Sequence, residues 1–177
     1  MVIGTACLYL LGLLMVILQN TLIPYWFSGS FSYFLPQLAE TFALTVLICD
    51  TRDVRSPLLA MFTALLCILG FGASPVITIV TYAVFVLVTM LLRHLIFGRA
   101  TEKQHGPGFV RGVLLIAALV LLSSLIKAVC LTQMNRLLSF DMQNIAAAAA
   151  STVSSVIFAA LAFHPVAGLC RLGSTNQ

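Results

Sequence analysis

The sequence predicts an all-α integral membrane protein: a compact six-helix transmembrane bundle with both termini in the cytoplasm and with short second and third helices. Three observations predict it. Hydrophobic residues make up 61% of the chain and charged residues 8%, with a mean hydropathy of +1.11. A typical soluble domain has about 45–50% apolar and about 25% charged residues, and no soluble fold has interior enough for this chain. The charges also gather in a few short clusters. The apolar stretches between them suit about 30 Å of hydrocarbon crossed at about 1.5 Å per helical residue. Finally, the basic residues fall almost wholly on alternate links, as they do where Lys and Arg are retained on the cytoplasmic side.

The whole chain, 1–177, reads as a single transmembrane domain. The first span covers residues 2–23, and Gln19, Asn20 and then Pro24, whose ring lacks an N–H, close it. It has neither a basic leading region nor an A-x-A-like cleavage site, so it is expected as a retained helix and not as a secretory signal. Residues 25–34 follow, rich in aromatics that include Trp26 and Phe31. Such rings suit the headgroup boundary, and the segment is expected as an external interfacial loop.

The second and third spans, 35–49 and 57–71, flank a charged link at 50–56. Pro36 suits the first turn of a helix, and Ser56 before Pro57 suits an N-cap. Each uninterrupted apolar run is only about 13–16 residues, roughly 20–24 Å by helical rise. The pair therefore forms either thin spans or a half-buried hairpin.

The fourth span, 75–97, is the clearest and carries Arg93 and His94 near its end. A hydrophilic link at 98–108 combines charge with Gly and Pro, marks of an exposed connection. The fifth span is 109–131, the polar stretch 132–144 links it onward, and the sixth is 145–167. Along the sixth, Ala147, Ser151, Ser155 and Ala159 recur every four residues. That spacing puts small side chains on one face, where another helix can approach closely. The face is expected to pack inside the same bundle, with a partner or oligomer surface as the alternative.

Orientation follows from the basic residues. With the N-terminus inside, Arg52, Arg55, Arg93, Arg99, Lys103, Arg111 and Arg171 are cytoplasmic, while Lys127 and Arg136 are external. A hairpin entering from outside would bury Arg52 and Arg55, which makes six spans the better reading.

Candidates for chemistry are few. Glu40 lies about one turn into the second span, where it reads either as an interfacial carboxylate reached by water and favoured by a helix N-terminus or as an acid contacting a ligand or partner at the external mouth. Lys127, near the external end of the fifth span, can snorkel outward and lies toward the same face as Glu40. His94, His105 and His164 are scattered and lack the facing arrangement that metal or haem ligation needs. Cys7, Cys49, Cys67, Cys130 and Cys170 stand singly in apolar stretches, as small buried hydrophobes do, and form neither a disulfide framework nor a zinc site. The chain shows no P-loop, G-x-S-x-G or H-E-x-x-H motif, and no basic stripe interleaved with aromatics. No catalytic residue, cofactor, metal or nucleic-acid partner is expected.

The order of features resembles the bacterial rod-shape-determining protein MreD family over nearly the whole chain. Leu18-Gln19 closes the first helix, Pro36 opens the second, a short basic link at 52–57 precedes the third, and Leu91-Leu92-Arg93 ends the fourth. In the third helix the family shows spaced glycines and then an aspartate, where this chain has Ala60, Ala64 and Cys67 and no acid. Ala60 and Ala64 are small enough to keep close packing. The resemblance implies a non-catalytic scaffold or assembly subunit of a cell-envelope complex in the bacterial inner membrane, working with other membrane proteins such as a MreC-like bitopic partner. The alternative is a small membrane subunit of a transporter that binds a small molecule in its six-helix bundle. A transporter should converge polar groups near the membrane midplane, whereas the acids here stand near helix ends in the sequence.

Overall fold

A computed structural model of the protein describes residues 2–22, 37–50, 54–71, 74–92, 109–134 and 142–172. These residues form six helices: α1 (Val2–Ile17), which runs on as a π-helical turn over Leu18–Leu22, α2 (Leu38–Cys49), α3 (Arg55–Phe71), α4 (Pro75–Leu92), α5 (Phe109–Met134) and α6 (Met142–Leu172). No strand occurs among the described residues. Among the described residues, four helical stretches are long and apolar enough to cross a membrane, Gly4–Thr21, Pro75–Leu92, Phe109–Ile126 and Ala149–Cys170.

The helices form a ring of five around one. α1 packs on α3, α3 on α4, α4 on α5, α5 on α6 and α6 back on α1, while α2 touches all five. At 12 residues, α2 is only about 18 Å long by helical rise. Every residue from Leu38 to Ile48 is buried. One side of it, Ala43, Leu44, Leu47 and Ile48, packs with Ala60, Ala64, Tyr82, Phe85, Ile116, Val120, Ala159 and Phe163. The other, Phe42 and Val46, packs with Leu8, Leu59, Val166 and Cys170.

The two short helices therefore differ. α2 presents apolar residues all round, with Glu40, Thr41 and Thr45 among them, because protein surrounds it, the pattern of a buried helix. α3 is two-faced: Leu58, Met61, Leu65 and Leu69 point outward, each at least half exposed, while Leu59, Ala60, Thr63, Ala64 and Cys67 face α2. The other ring helices carry similar outward residues, among them Leu10, Leu14, Leu87, Leu114, Leu121, Ile157 and Leu161. Monomers in water rarely expose apolar surface on this scale.

Close approaches are made by small residues. Gly12 of α1 lies against Thr63 and Phe42, where an added Cβ would stand 3.2 Å from the Thr63 methyl. Gly112 of α5 lies against the Phe163 ring of α6, and a Cβ there would stand 2.4 Å from it.

The helix boundaries differ from the expected spans in three places. α3 begins at Arg55, so Ser56, expected as the N-cap of a helix from Pro57, lies inside its first turn. The link expected at 132–144 is shorter, because α5 continues to Met134 and α6 begins at Met142. α6 also runs through Pro165 to Leu172 instead of ending near 167. Pro165 removes one backbone donor, but Val166 and Cys170 beyond it are buried against α1 and α2, and that packing holds the last turns in place. Residues 93–97, expected to end the fourth span, lie outside the described residues.

Candidate functional site

The polar groups of the core gather at the two ends of α2. Its start is the richer one. A helix that begins inside a bundle has N–H groups with neither an intrahelical partner nor water, and Gln37 supplies no side-chain cap. Neighbouring helices supply the acceptors instead. The Ala39 N–H donates to Gln19 Oε1 of the π-helical turn at 2.8 Å, and the Gln37 N–H donates to Ser155 Oγ of α6 at 2.9 Å. Ser155 in turn donates to the Ser151 carbonyl. In the π-helical turn itself, Asn20 Nδ2 and Thr21 Oγ1 donate back to the carbonyls of Val16 and Ile17.

Glu40 stands in the first turn of α2, where the helix N-terminus favours a carboxylate. It differs from the expected water-reached interfacial acid: it is only 7% exposed, and Ser123 Oγ of α5 donates to its Oε2 at 2.7 Å. The cause is the position of α2. Its first turn meets α5 at Ser123, about 21 Å of helix beyond Phe109, so an acid near a helix end in the sequence lies deep in the bundle. Tyr82, near the middle of α4, completes the cluster. Its buried hydroxyl lies beside Thr63 and Cys67, within the field of the Glu40 carboxylate. The hydroxyl of the neighbouring Thr81 is buried and meets no partner among the described residues.

At the other end of α2, Arg55 Nε donates to Asp50 Oδ2 in a buried ion pair, and Nη1 reaches Thr5 Oγ1 of α1 at 3.3 Å. Nη2 is buried with no partner among the described residues. Arg55, expected on an exposed link, is thus enclosed where α1, α2 and α3 converge. A buried charge of this kind holds only when paired, and Asp50 supplies the pairing.

Of the other candidate residues, Ala60 and Ala64 pack on α2. Ser155 and Ala159 are fully buried and Ser151 half-buried, so that part of the four-residue stripe faces the bundle's own interior. Lys127 falls in α5 one turn beyond Ser123, and Ala147 falls in α6; their side chains lie outside the described residues, as do Trp26 and Phe31. His164 is exposed and stacks on Phe109 with ring centroids 5.0 Å apart. Cys67 and Cys170 are buried, Cys7 and Cys49 half-buried, and none of the four is in a disulfide. Among the described residues no three His, Cys, Asp or Glu side chains gather to hold a metal.

Ser123, Tyr82 and Thr63 were not among the candidates read from the sequence. Their signal was only that of polar side chains inside apolar runs, which in such helices turn toward the interior.

The fold and this site define an all-helical bundle with four helices of membrane-crossing length and a polar cluster enclosed at its centre. No family model, curated protein or solved structure matches the chain.

Proposed function

We propose that the chain is a non-catalytic scaffold or assembly subunit of a cell-envelope complex in the bacterial inner membrane, multi-pass with both ends in the cytoplasm. The observation that carries this reading is the enclosure of α2. Its five neighbours fill the interior with protein, and much of the polar core joins one helix to another, as in Ser123–Glu40, Gln19–Ala39 and Ser155–Gln37. What remains to offer a partner is the outer surface, rich in Leu, Ile and Val. The MreD-like order of features supports the same reading, and Gln19 of the Leu18-Gln19 pair has a physical task in it, as the acceptor at the start of the enclosed helix.

A second reading, a small-molecule-binding subunit of a transporter, is favoured by the depth of Glu40. An ionisable group enclosed among membrane-length helices is a functional candidate by default. Purification of the full chain in mild detergent separates the two. Recovery at fixed stoichiometry with a MreC-like bitopic protein or a wall-synthesis enzyme supports the assembly reading, and a chain without partners carrying a tightly bound small molecule overturns it. Orientation has its own test: single cysteines placed at Thr101 and at Ser28 should label from opposite sides of the membrane, and labelling from one side would refute six spans with both ends inside.

A further inference from the structure

The outward face of α3 has a definite height. Val54, Leu58, Met61, Leu65 and Leu69 are each at least half exposed, and the Leu58 N–H donates to the Val54 carbonyl as in a helix. From residue 54 to residue 69 the row is therefore only about 22 Å tall by helical rise. Both of its ends are marked. At one, Arg55 is held by Asp50 in the buried ion pair; at the other, Gly70 stands in open space and Ser74 is exposed. α4 starts at Pro75, just after α3 ends, and its own outward row, from Val76 to Leu91, repeats the height. Even the whole helices, 17 and 18 residues, are about 25–27 Å long, against about 30 Å of hydrocarbon in a typical bilayer. α5 and α6, with 26 and 31 residues, are about 39 and 46 Å long and have no such deficit.

We propose that the α3–α4 face is an interaction surface for phospholipids with short acyl chains, so that the bilayer beside it is thinner than beside α5 and α6. A short apolar stretch is accommodated by thinning the bilayer, by snorkelling of flanking side chains or by oligomerisation. Snorkelling is closed to Arg55, because its guanidinium turns into the bundle toward Asp50 and Thr5. Gly70 and Ser74 are too short to reach outward. Oligomerisation through this face is opposed by its side chains. Helices associate in lipid where small residues let backbones approach, whereas α3 presents leucine and methionine. Nor can the pair slide to another depth, since Ala60, Ala64, Tyr82 and Phe85 are packed on α2. Thinning remains. The inference rests on the reading of the chain as a multi-pass membrane protein, and not on its role in assembly or transport.

Brominated phosphatidylcholines, which quench tryptophan on contact, are the probe. Trp26, the only tryptophan of the chain, is changed to phenylalanine. A single reporter is then placed by Leu65→Trp on α3 or by Leu121→Trp on α5, both positions being about half exposed. The full chain is reconstituted in vesicles that mix a brominated lipid of one chain length with an unbrominated lipid of another, fourteen against eighteen carbons, in both combinations. The Leu65→Trp reporter should favour the fourteen-carbon lipid by at least about twofold, and the Leu121→Trp reporter should show no preference or the opposite one. Equal quenching by the two lengths at Leu65→Trp, or the same preference at both reporters, overturns the proposal. So does a Leu65→Trp reporter that escapes quenching while Leu121→Trp does not, because protein then covers α3. Absence of quenching at both reporters refutes the membrane reading itself, and this inference with it.

Discussion

Replacing Gln19 with leucine tests the enclosure of α2 most directly. Gln19 Oε1 is the acceptor for the N–H of Ala39, a fully buried residue that has no intrahelical partner for that group. Leucine is close to glutamine in size, so the change removes the acceptor without opening a large cavity. A buried donor left unmet costs about 1–3 kcal/mol, and in a chain of this length each kcal/mol lowers the melting midpoint by about 2–4 °C. A value near 2 kcal/mol gives a drop of roughly 6 °C, read by far-UV circular dichroism on the full chain in mild detergent. Thr21→Val is the control from the same turn, because its exposed hydroxyl bonds only to the Ile17 carbonyl of its own helix; it should stay within about 0.5 kcal/mol of the starting protein. Ser155→Ala, which takes the acceptor from the Gln37 N–H, should resemble Gln19→Leu. If Gln19→Leu and Thr21→Val melt alike, the start of α2 is reached by water and its enclosure is wrong.

Three further outcomes are expected. Asp50→Asn leaves the buried Arg55 guanidinium without its counter-charge and should cost about 3–5 kcal/mol; adding Arg55→Met should recover part of that loss in the same melting assay, and a double variant no better than the single one would contradict the pairing. Leu87→Arg puts a charge on an outward face of α4 that is 62% exposed. Against lipid this costs about 2.5–3.5 kcal/mol at the span centre, so the chain should be depleted from the membrane fraction, whereas an outward face in water would tolerate it. Gly112→Ala places a Cβ 2.4 Å from the Phe163 ring and should destabilise by about 1–3 kcal/mol, with Phe163→Leu in the same chain restoring part of the melting midpoint.

The long apolar runs were legible because length and composition alone define them. Partners across the bundle were not. Ser123 and Glu40 meet across 83 residues of sequence, and nothing local to either residue announces the other. The depth of Glu40 was hidden for a related reason: a carboxylate in the first turn of a helix reads as superficial unless the helix itself starts inside. α2 was the hardest element to read. Apart from Glu40, Thr41 and Thr45 its residues are apolar on every side, and lipid and protein surroundings both favour that pattern, so periodicity could not distinguish a thin span from an enclosed helix. α3 carried more signal, with Ala60, Thr63, Ala64 and Cys67 on one face and Leu58, Met61, Leu65 and Leu69 on the other. The extension of α6 from 167 to Leu172 was not legible because the packing of Val166 and Cys170 on α1 and α2 is tertiary.

The ring around α2 imposes an order on biogenesis. α2 is synthesised second, yet four of the five helices that enclose it come later, and the ring closes only when α6 reaches α1. Until then a segment about 18 Å long, with Glu40 in its first turn and a start capped from α1 and α6, has no complete shelter. Its final position can therefore be taken only after α6 has been made. A ribosome-stalled or truncated chain lacking α6 would leave the Gln37 N–H and one whole side of α2 uncovered.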